Sequence, residues 1–377
     1  MRTISMPKAI VAVVALAFAM PACAVVDFPV PETVRSWDAP ELATNGVKAV
    51  WIENVPWHGK ETRFFAYYSL PEGATSAMKV PGIVLVHGGF GTAYHSWVKT
   101  WNARGYAAIA MDNCGGIPGE KSHTAEHPRH KWSGPNGWGR FGDAGAKPED
   151  QWVYHAVKSI IRSHTFLRNL PEVDASKIGI TGISWGGFLT EIACAVDSRF
   201  VFAAPVYGCG NLRRHSVWSS GIGERWESLW NPIGYVKKGR RIPMLWCAGT
   251  NDHFFPLDSF VETALAFGDP IFSIKLRMTH GHPPFGDPPE ITAFADSIVK
   301  GGRKLSDRKV ARREWLFAES GDPDWEKRKF TASETKPESY TIRLENAVTE
   351  DGLVISSIPE FRKSDPKEPI VEIGGGG

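Results

Sequence analysis

Residues 177–189 read KIGITGISWGGFL, an apolar run followed by a serine that lies between glycines. The run up to Ile183 has the β-branched content of a buried strand, and the residues after the serine have the apolar spacing of a helix. A serine in a sharp turn between a strand and a helix is held in strained geometry with its oxygen exposed. Gly182 and Gly186 leave the room that this turn needs. We therefore predict that Ser184 is a nucleophile.

The rest of the chain alternates between short apolar runs and stretches of helical periodicity. This alternation is typical of a mostly parallel sheet with helices packed on its faces. The predicted strands of the main sheet cover 47–55, 64–70, 82–86, 106–111, 177–183, 200–206, 242–248 and 272–278. The pattern predicts an α/β fold built on eight strands, closed by a helix over 291–299.

The N-terminus predicts export. Basic residues precede an apolar run at 9–20, which leads to the small residues Ala22, Cys23 and Ala24. This is the pattern of a secretory signal peptide cleaved after Ala24, so we expect a secreted or periplasmic protein. A lipoprotein attached through Cys23 is the alternative, but Met20 suits that motif poorly.

The predicted domain organisation follows from these patterns. It is a signal peptide at 1–24, a catalytic domain at 25–302 with insertions at 113–147 and 207–241, and a C-terminal extension at 303–377. The insertions are lid-like. The extension contains two alternating strands and is expected to form a small β appendage. Its basic run at 303–313 is interpreted as a solvated surface helix.

Composition limits the partners. The chain has 377 residues, of which 42% are hydrophobic, which is enough for a large core. Its 43 basic and 41 acidic residues leave a net charge of +2. A balance this close to neutral gives no field that would hold nucleic acid or acidic lipid. We expect a small ester or acylated glycan as the substrate, no nucleic-acid partner and no transmembrane segment.

Neither a cofactor nor a metal ion is expected. His280 and His282 form a His-x-His pair, but no carboxylate or cysteine lies at a spacing that would complete a metal site. Three further histidines lie in a Gly- and Pro-rich loop and are interpreted as solvated: His123, His127 and His130. The cysteines beyond the signal peptide are Cys114, Cys194, Cys209 and Cys247, which could form one disulfide or serve as small buried apolar residues.

A serine nucleophile needs a base, and the base needs a carboxylate to orient it. Asp252 follows the strand predicted at 242–248 and is the candidate acid. Two candidate bases follow the last main-sheet strand. We favour His282 because the Gly281-His282 segment fits the closing pattern of such a sheet, and we keep His280 as the second choice.

The transition state also needs backbone amides that donate hydrogen bonds to the negative charge that develops on the substrate carbonyl oxygen. The segment His87-Gly88-Gly89 ends a strand and is followed by Phe90. We assign the oxyanion hole to the backbone of Trp185 together with Gly89 or Phe90.

Aromatic residues cluster in the two insertions, which should overhang the nucleophile. The candidate substrate-binding residues are Trp132, Trp138, Trp218, Trp226 and Trp230. Flat aromatic faces suit stacking on sugar rings or apolar acyl groups. The alternative is that these side chains form the core of the lid.

Taken together, the motifs around Ser184, His87, Asp252 and His282 resemble the acetylxylan esterase and dienelactone hydrolase-like branch of the α/β-hydrolases, which borders on prolyl oligopeptidase-type catalytic domains. The resemblance covers about 47–302. It implies a secreted serine carboxylic ester hydrolase that deacetylates a polysaccharide by two-step acyl transfer. A peptidase or aminoacyl hydrolase, and a non-catalytic carbohydrate-binding protein of the same fold, are the alternatives. Unlike dienelactone hydrolases, the chain has serine instead of cysteine as its nucleophile.

Overall fold

A computed structural model describes residues 26–118, 128–137, 141–236 and 241–362 of the chain. The predicted signal peptide with its cleavage site, two histidines of the first insertion and one candidate tryptophan lie outside these ranges: Ala24, His123, His127 and Trp138. None of the helices within the described ranges is long and apolar enough to cross a bilayer.

The described residues form fourteen strands and six α-helices. The strands are β1 (Ser36–Asp38), β2 (Lys48–Glu53), β3 (Arg63–Ser69), β4 (Val80–Val86), β5 (Ala107–Met111), β6 (Val173–Ile183), β7 (Ala203–Val206), β8 (Leu245–Gly249), β9 (Ile271–Lys275), β10 (Val310–Ala318), β11 (Phe330–Ser333), β12 (Ile342–Thr349), β13 (Val354–Ser356) and β14 (Glu360–Phe361). The helices are α1 (His95–Ala103), α2 (Trp152–Arg168), α3 (Trp185–Val196), α4 (Glu224–Trp230), α5 (Leu257–Phe267) and α6 (Pro289–Val299).

Eight strands make up the central part of the sheet, in the order β2-β3-β5-β4-β6-β7-β8-β9. β3 runs antiparallel to both of its neighbours, and the strands from β5 to β9 run parallel. They correspond to the eight strands that the sequence predicts, so the predicted α/β fold is confirmed. β6 lies in the middle, and its carboxyl end opens at the edge of the sheet where ligands bind in such folds.

The middle of the sheet is buried on both faces. Val84 and Leu85 are neighbours in β4 whose side chains point to opposite faces of the sheet, and neither has exposed surface. Helices α1, α2 and α3 pack against β4. Burial of an aliphatic side chain of this size stabilises the fold by about 1.5–3 kcal/mol. Strands that are covered on both faces have continuous apolar sequences, which is why the pattern reveals them.

The C-terminal extension continues the main sheet. After β9 the strand order is β13-β12-β10-β11, with β13 antiparallel to β9 at Ser356 and Phe272. The prediction of a surface helix in the basic run is wrong, because strand β10 begins at Val310 and only a short 3-10 helix, Leu305–Asp307, precedes it. Arg313 faces Glu345 of β12 across the strands. Such cross-strand pairs stabilise a sheet, but local sequence does not reveal a partner thirty residues away.

Glu290, in the first turn of α6, joins the extension to the sheet. Its side chain is completely buried. One carboxyl oxygen accepts a hydrogen bond from the backbone nitrogen of Val354 at 2.7 Å, and the other lies 2.9 Å from the Lys275 ammonium. One side chain therefore connects α6, β9 and β13.

We predict that Glu290→Ala lowers the free energy of unfolding by about 2 kcal/mol, because it leaves a buried amide and a partly buried ammonium without their acceptor. Urea unfolding measures this loss. Glu350→Ala is the matched control, since Glu350 pairs with Lys309 at the surface, and its loss should stay below about 0.5 kcal/mol. Equal losses in the two variants would contradict the role given to Glu290.

Candidate active site

Ser184 occupies the turn between β6 and α3. Its backbone has φ 59° and ψ −122°, a strained conformation for a residue with a side chain. The backbone nitrogen of Ser184 donates to the carbonyl of Val206 at 2.8 Å, which ties the turn to β7. Strand, sharp turn and helix are therefore arranged as the sequence predicts for a nucleophile.

The glycines beside Ser184 are needed for space. A Cβ atom on Gly182 would lie 2.2 Å from the carbonyl oxygen of Gly186. A Cβ atom on Gly186 would lie 2.1 Å from the carbonyl oxygen of Val86, at the end of β4. Both neighbours are backbone atoms, which cannot rotate away. The turn at Ser184, here called the elbow, therefore packs main chain against main chain. No residue larger than glycine fits at positions 182 and 186.

Asp252 lies on the loop after β8 and is almost completely buried. Its Oδ1 accepts hydrogen bonds from the backbone nitrogens of Phe254 and Phe255, both at 2.9 Å. Its Oδ2 lies 2.6 Å from Nδ1 of His280. Both oxygens of the carboxyl group are thus engaged, one by its own loop and the other by the imidazole. This arrangement orients His280 and leaves its Nε2 to take a proton.

Tyr207 supports the ring of His280 from one side. The two rings stack at 4.5 Å between centroids and 27° between planes. The Tyr207 hydroxyl donates to the carbonyl of Thr279 at 2.6 Å. Burial raises the pKa of Tyr207 far above its usual value, so the hydroxyl keeps its proton and remains a donor. The imidazole is therefore held by a stacked ring and by a tethered backbone.

His282 lies beside the loop that follows β4. A Cβ atom built on Gly88 would be 2.8 Å from Cβ of Ser184 and 3.3 Å from Nε2 of His282. The same histidine nitrogen would lie 2.6 Å from a Cβ atom on Gly91. The structure therefore brings both candidate histidines to the site, with His280 beside the Asp252 carboxyl group and His282 beside Gly88 and Gly91.

The oxyanion loop, residues 87–91, is held by His87. The backbone nitrogen of Asn113 donates to Nε2 of His87 at 3.0 Å, so the ring proton resides on Nδ1. That nitrogen donates to the carbonyl of Gly88 at 2.7 Å. Gly89 and Phe90, which the sequence assigns to the hole, follow directly. Sequence reasoning missed His87 and Asn113 as supports, although His87 begins the His-Gly-Gly motif.

Two of the candidate substrate-binding tryptophans are buried in the second insertion. Trp226 packs between Phe141 and Phe188 and is 2% exposed. Trp230 has no exposed surface, and its indole nitrogen donates to Gln151 Oε1 at 2.7 Å. Their rings form the core of the lid, which is the alternative that the sequence leaves open.

The other candidate aromatics differ in position. Trp218 is partly exposed and contacts the ring of Trp185 at 5.8 Å, next to the nucleophile. Trp132 packs on Trp51 of β2 at 5.2 Å, with the Arg63 guanidinium over its ring. Trp138 lies outside the described residues. Of these residues, Trp218 is the one that the described part of the structure places beside Ser184.

Two exposed phenylalanines that the sequence did not single out as aromatic contacts lie next to the site. Phe90 is 46% exposed in the oxyanion loop, and Phe285 is 58% exposed three residues after His282. Their position on loops, without strand or helix periodicity, gave no sequence signal.

The buried cysteines are not alternative nucleophiles. Cys114, Cys194, Cys209 and Cys247 form no disulfide with one another. Burial raises the pKa of three of these thiols, those of Cys114, Cys209 and Cys247, so they stay protonated.

The prediction that His130 is solvated is wrong. Its ring is buried beside Trp51 and Trp132, and burial lowers its pKa to about 4. Among the residues that the structure describes, no three histidine, cysteine or carboxylate side chains are grouped to hold a metal ion.

The strand order and the elbow at Ser184 define the fold as that of an α/β-hydrolase. The family model described as acetyl xylan esterase matches residues 43–214, slightly less than half of the chain. This match confirms the predicted resemblance and the predicted class of enzyme, a serine hydrolase that acts on ester bonds.

Solved structures share the fold. The acetyl xylan esterase from Paenibacillus sp. R4 superposes with a TM-score of 0.55 and 21% identity, over 72% of this chain and 90% of that one. Acetyl xylan esterase 1 from Thermoanaerobacterium sp. JW/SL YS485 gives 0.51 and 19%, over 71% and 86%. A puromycin-hydrolysing peptidase from Mycobacterium tuberculosis gives 0.50 and 19%, over 70% and 41%. No curated protein sequence matches the chain.

We predict that Gly186→Ala lowers the free energy of unfolding by about 1–3 kcal/mol, because the new methyl group meets the carbonyl of Val86. Ester hydrolysis should fall as well, since the elbow must move. Chemical denaturation and an esterase assay measure the two effects. Gly142→Ala is the control, because nothing lies within 4 Å of a Cβ atom there. If both variants behave like the wild type, the elbow is less tightly packed than described.

Proposed function

We propose that the protein removes acetyl groups from a polysaccharide, using Ser184, Asp252 and His280 as a catalytic triad. The observation that carries this proposal is the 2.6 Å contact between Asp252 and His280 on loops beside the strained serine. The acetyl xylan esterase match over 43–214 supports acetyl esters as the substrate class.

The proposed reaction has two steps. The Ser184 hydroxyl attacks the ester carbonyl while Nε2 of His280 takes its proton, and the carbonyl electron pair moves onto oxygen. The backbone amides of Trp185 and of Gly89 or Phe90 stabilise that oxyanion. The carbonyl reforms, and the proton passes from His280 to the departing sugar oxygen, which leaves an acetylated serine. A water molecule then attacks in the same way and releases acetate.

His280 is proposed as the base in preference to His282 because a base must be oriented through its second nitrogen. Nδ1 of His280 has that partner in Asp252. The other oxygen of Asp252 is taken by two backbone nitrogens. His282 lies over the glycines of the oxyanion loop.

The surface around Ser184 fits a neutral glycan. Phe90, Phe285 and Trp218 present aromatic surface at the site, and the faces of sugar rings pack on such side chains. The chain carries almost no net charge, which disfavours a strongly charged substrate. We also propose export through the N-terminal signal peptide, since an acetylated polysaccharide is reached outside the cytoplasm.

We predict that Ser184→Ala lowers acetate release from acetylated xylan and from p-nitrophenyl acetate by about 10⁴-fold or more, because the nucleophile is lost while the residual site remains. Circular dichroism of the variant should match the wild type. Acetate release that survives the substitution would overturn the nucleophile assignment. Turnover of the small ester without xylan, or preferential turnover of aminoacyl nitroanilides, would overturn the polysaccharide assignment.

The two histidines give a separate prediction. His280→Ala should lower kcat on p-nitrophenyl acetate by at least about 10²-fold, the lower end of what a general base contributes, whereas His282→Ala should stay within about tenfold. The two residues are matched controls for one another, because they lie on the same loop. The reverse order of effects would assign the base to His282.

A further inference from the structure

The C-terminal extension reaches the loops that carry the proposed acid and base. The segment between β10 and β11, here called the extension loop, comprises residues 319–329. It contacts Asn251, which directly precedes Asp252, and Arg277, which precedes His280 by three residues. A segment 51 to 77 residues away in sequence is therefore in contact with both of these loops.

Asn251 makes the closest connection. Its side-chain amide donates to the carbonyl of Trp325 at 2.9 Å and to the carbonyl of Arg328 at 2.6 Å. Its side-chain oxygen accepts from the hydroxyl of Thr250 at 2.9 Å. Both N–H groups and the oxygen are thus used. These bonds tie the residue next to Asp252 to the extension loop.

The loop that carries the base is held by the same acceptor. The Arg277 guanidinium donates to the carbonyl of Arg328 at 3.2 Å, and the Arg277 backbone nitrogen donates to the Thr250 hydroxyl oxygen at 3.1 Å. Arg277 has φ 48°, so the chain turns here as it leaves β9. One carbonyl oxygen, that of Arg328, therefore joins the acid loop and the base loop.

The extension loop is rigid enough to serve as a support. Trp325 is 1% exposed, and the Arg328 guanidinium lies 3.7 Å from the centre of its ring. Nε of Arg328 donates to the carbonyl of Asp322 at 2.6 Å. The backbone nitrogen of Asp324 donates to the Asp322 carboxyl at 2.9 Å. These bonds fix the carbonyls that face Asn251.

We propose that the extension loop positions the catalytic acid and base, with Asn251 as the positioning residue that transmits its effect. This inference rests on the triad of the proposed function. Asp252 and His280 lie on separate irregular loops, and their 2.6 Å contact requires those loops to keep a fixed separation. The carbonyl of Arg328 sets that separation. Misplacing a catalytic group by about 1 Å costs on the order of 10²-fold in rate.

The test compares two asparagines that both join the extension to the sheet, Asn251, which is partly buried, and Asn346, which is buried. Asn251 bonds to the extension loop, and Asn346 in β12 donates to the carbonyl of Ile274 in β9 at 3.0 Å. In full-length protein, Asn251→Ala should slow labelling of Ser184 by a fluorophosphonate and lower kcat on p-nitrophenyl acetate by about 10- to 100-fold. KM should change little. Asn346→Ala should lose stability in urea and keep both rates.

Each outcome decides the proposal. Normal labelling and kcat in Asn251→Ala, or equal rate losses in the two folded variants, would overturn it, since the extension would then contribute stability alone. Should Asn251→Ala fail to fold, Arg277→Met takes its place, because Arg277 is exposed and should slow labelling in the same direction. Labelling that persists in Ser184→Ala would show instead that the triad of the proposed function is wrong.

Discussion

The site depends on the close approach of the main chain at Gly186 to the end of β4. Because the carbonyl of Val86 occupies the place where a Cβ atom would lie, α3 begins directly against the neighbouring strand. The oxyanion loop that follows β4 is thereby placed beside Ser184. On the other side, the bond from Ser184 to Val206 fixes the elbow to β7. The ends of three adjacent strands thus meet through backbone contacts, and Ser184 and the loop that follows β4 belong to one rigid unit.

The elements of this rigid unit are the part of the structure that the sequence predicts well. β4, β5 and β6 are buried on both faces, so each has a continuous apolar run. The elbow is local, since the glycines that make room for Ser184 lie within two residues of it. The sequence singles out Asp252 as the candidate acid for a related reason, because a polar residue directly after a buried strand lies at the edge of the sheet where ligands bind in such folds.

The remaining parts depend on contacts between distant segments. His280 and His282 differ by two positions in a loop without regular periodicity, and only the geometry shows which ring lies against Asp252. The sequence of the second insertion is rich in tryptophan, as a binding surface would be. Trp230, however, donates a hydrogen bond to Gln151, which lies in another part of the chain. Strand β10 was missed because it pairs with β12, whose residues lie 24 to 39 positions further along the chain. In each case the deciding partner is remote in sequence.

The C-terminal extension both pairs with the edge of the sheet and contacts the loops that follow β8 and β9. The outer edge of β9 would present unpaired backbone groups, and β13 pairs with part of it while Asn346 bonds to Ile274. The acid and base loops leave the sheet at the ends of β8 and β9, next to that edge. A segment that covers this strand therefore lies within reach of both loops. Asn251 and Arg277, one on each loop, donate hydrogen bonds to the carbonyl of Arg328 in that segment. Coverage of the sheet edge and the proposed support of the loops that carry Asp252 and His280 are consequences of the same placement.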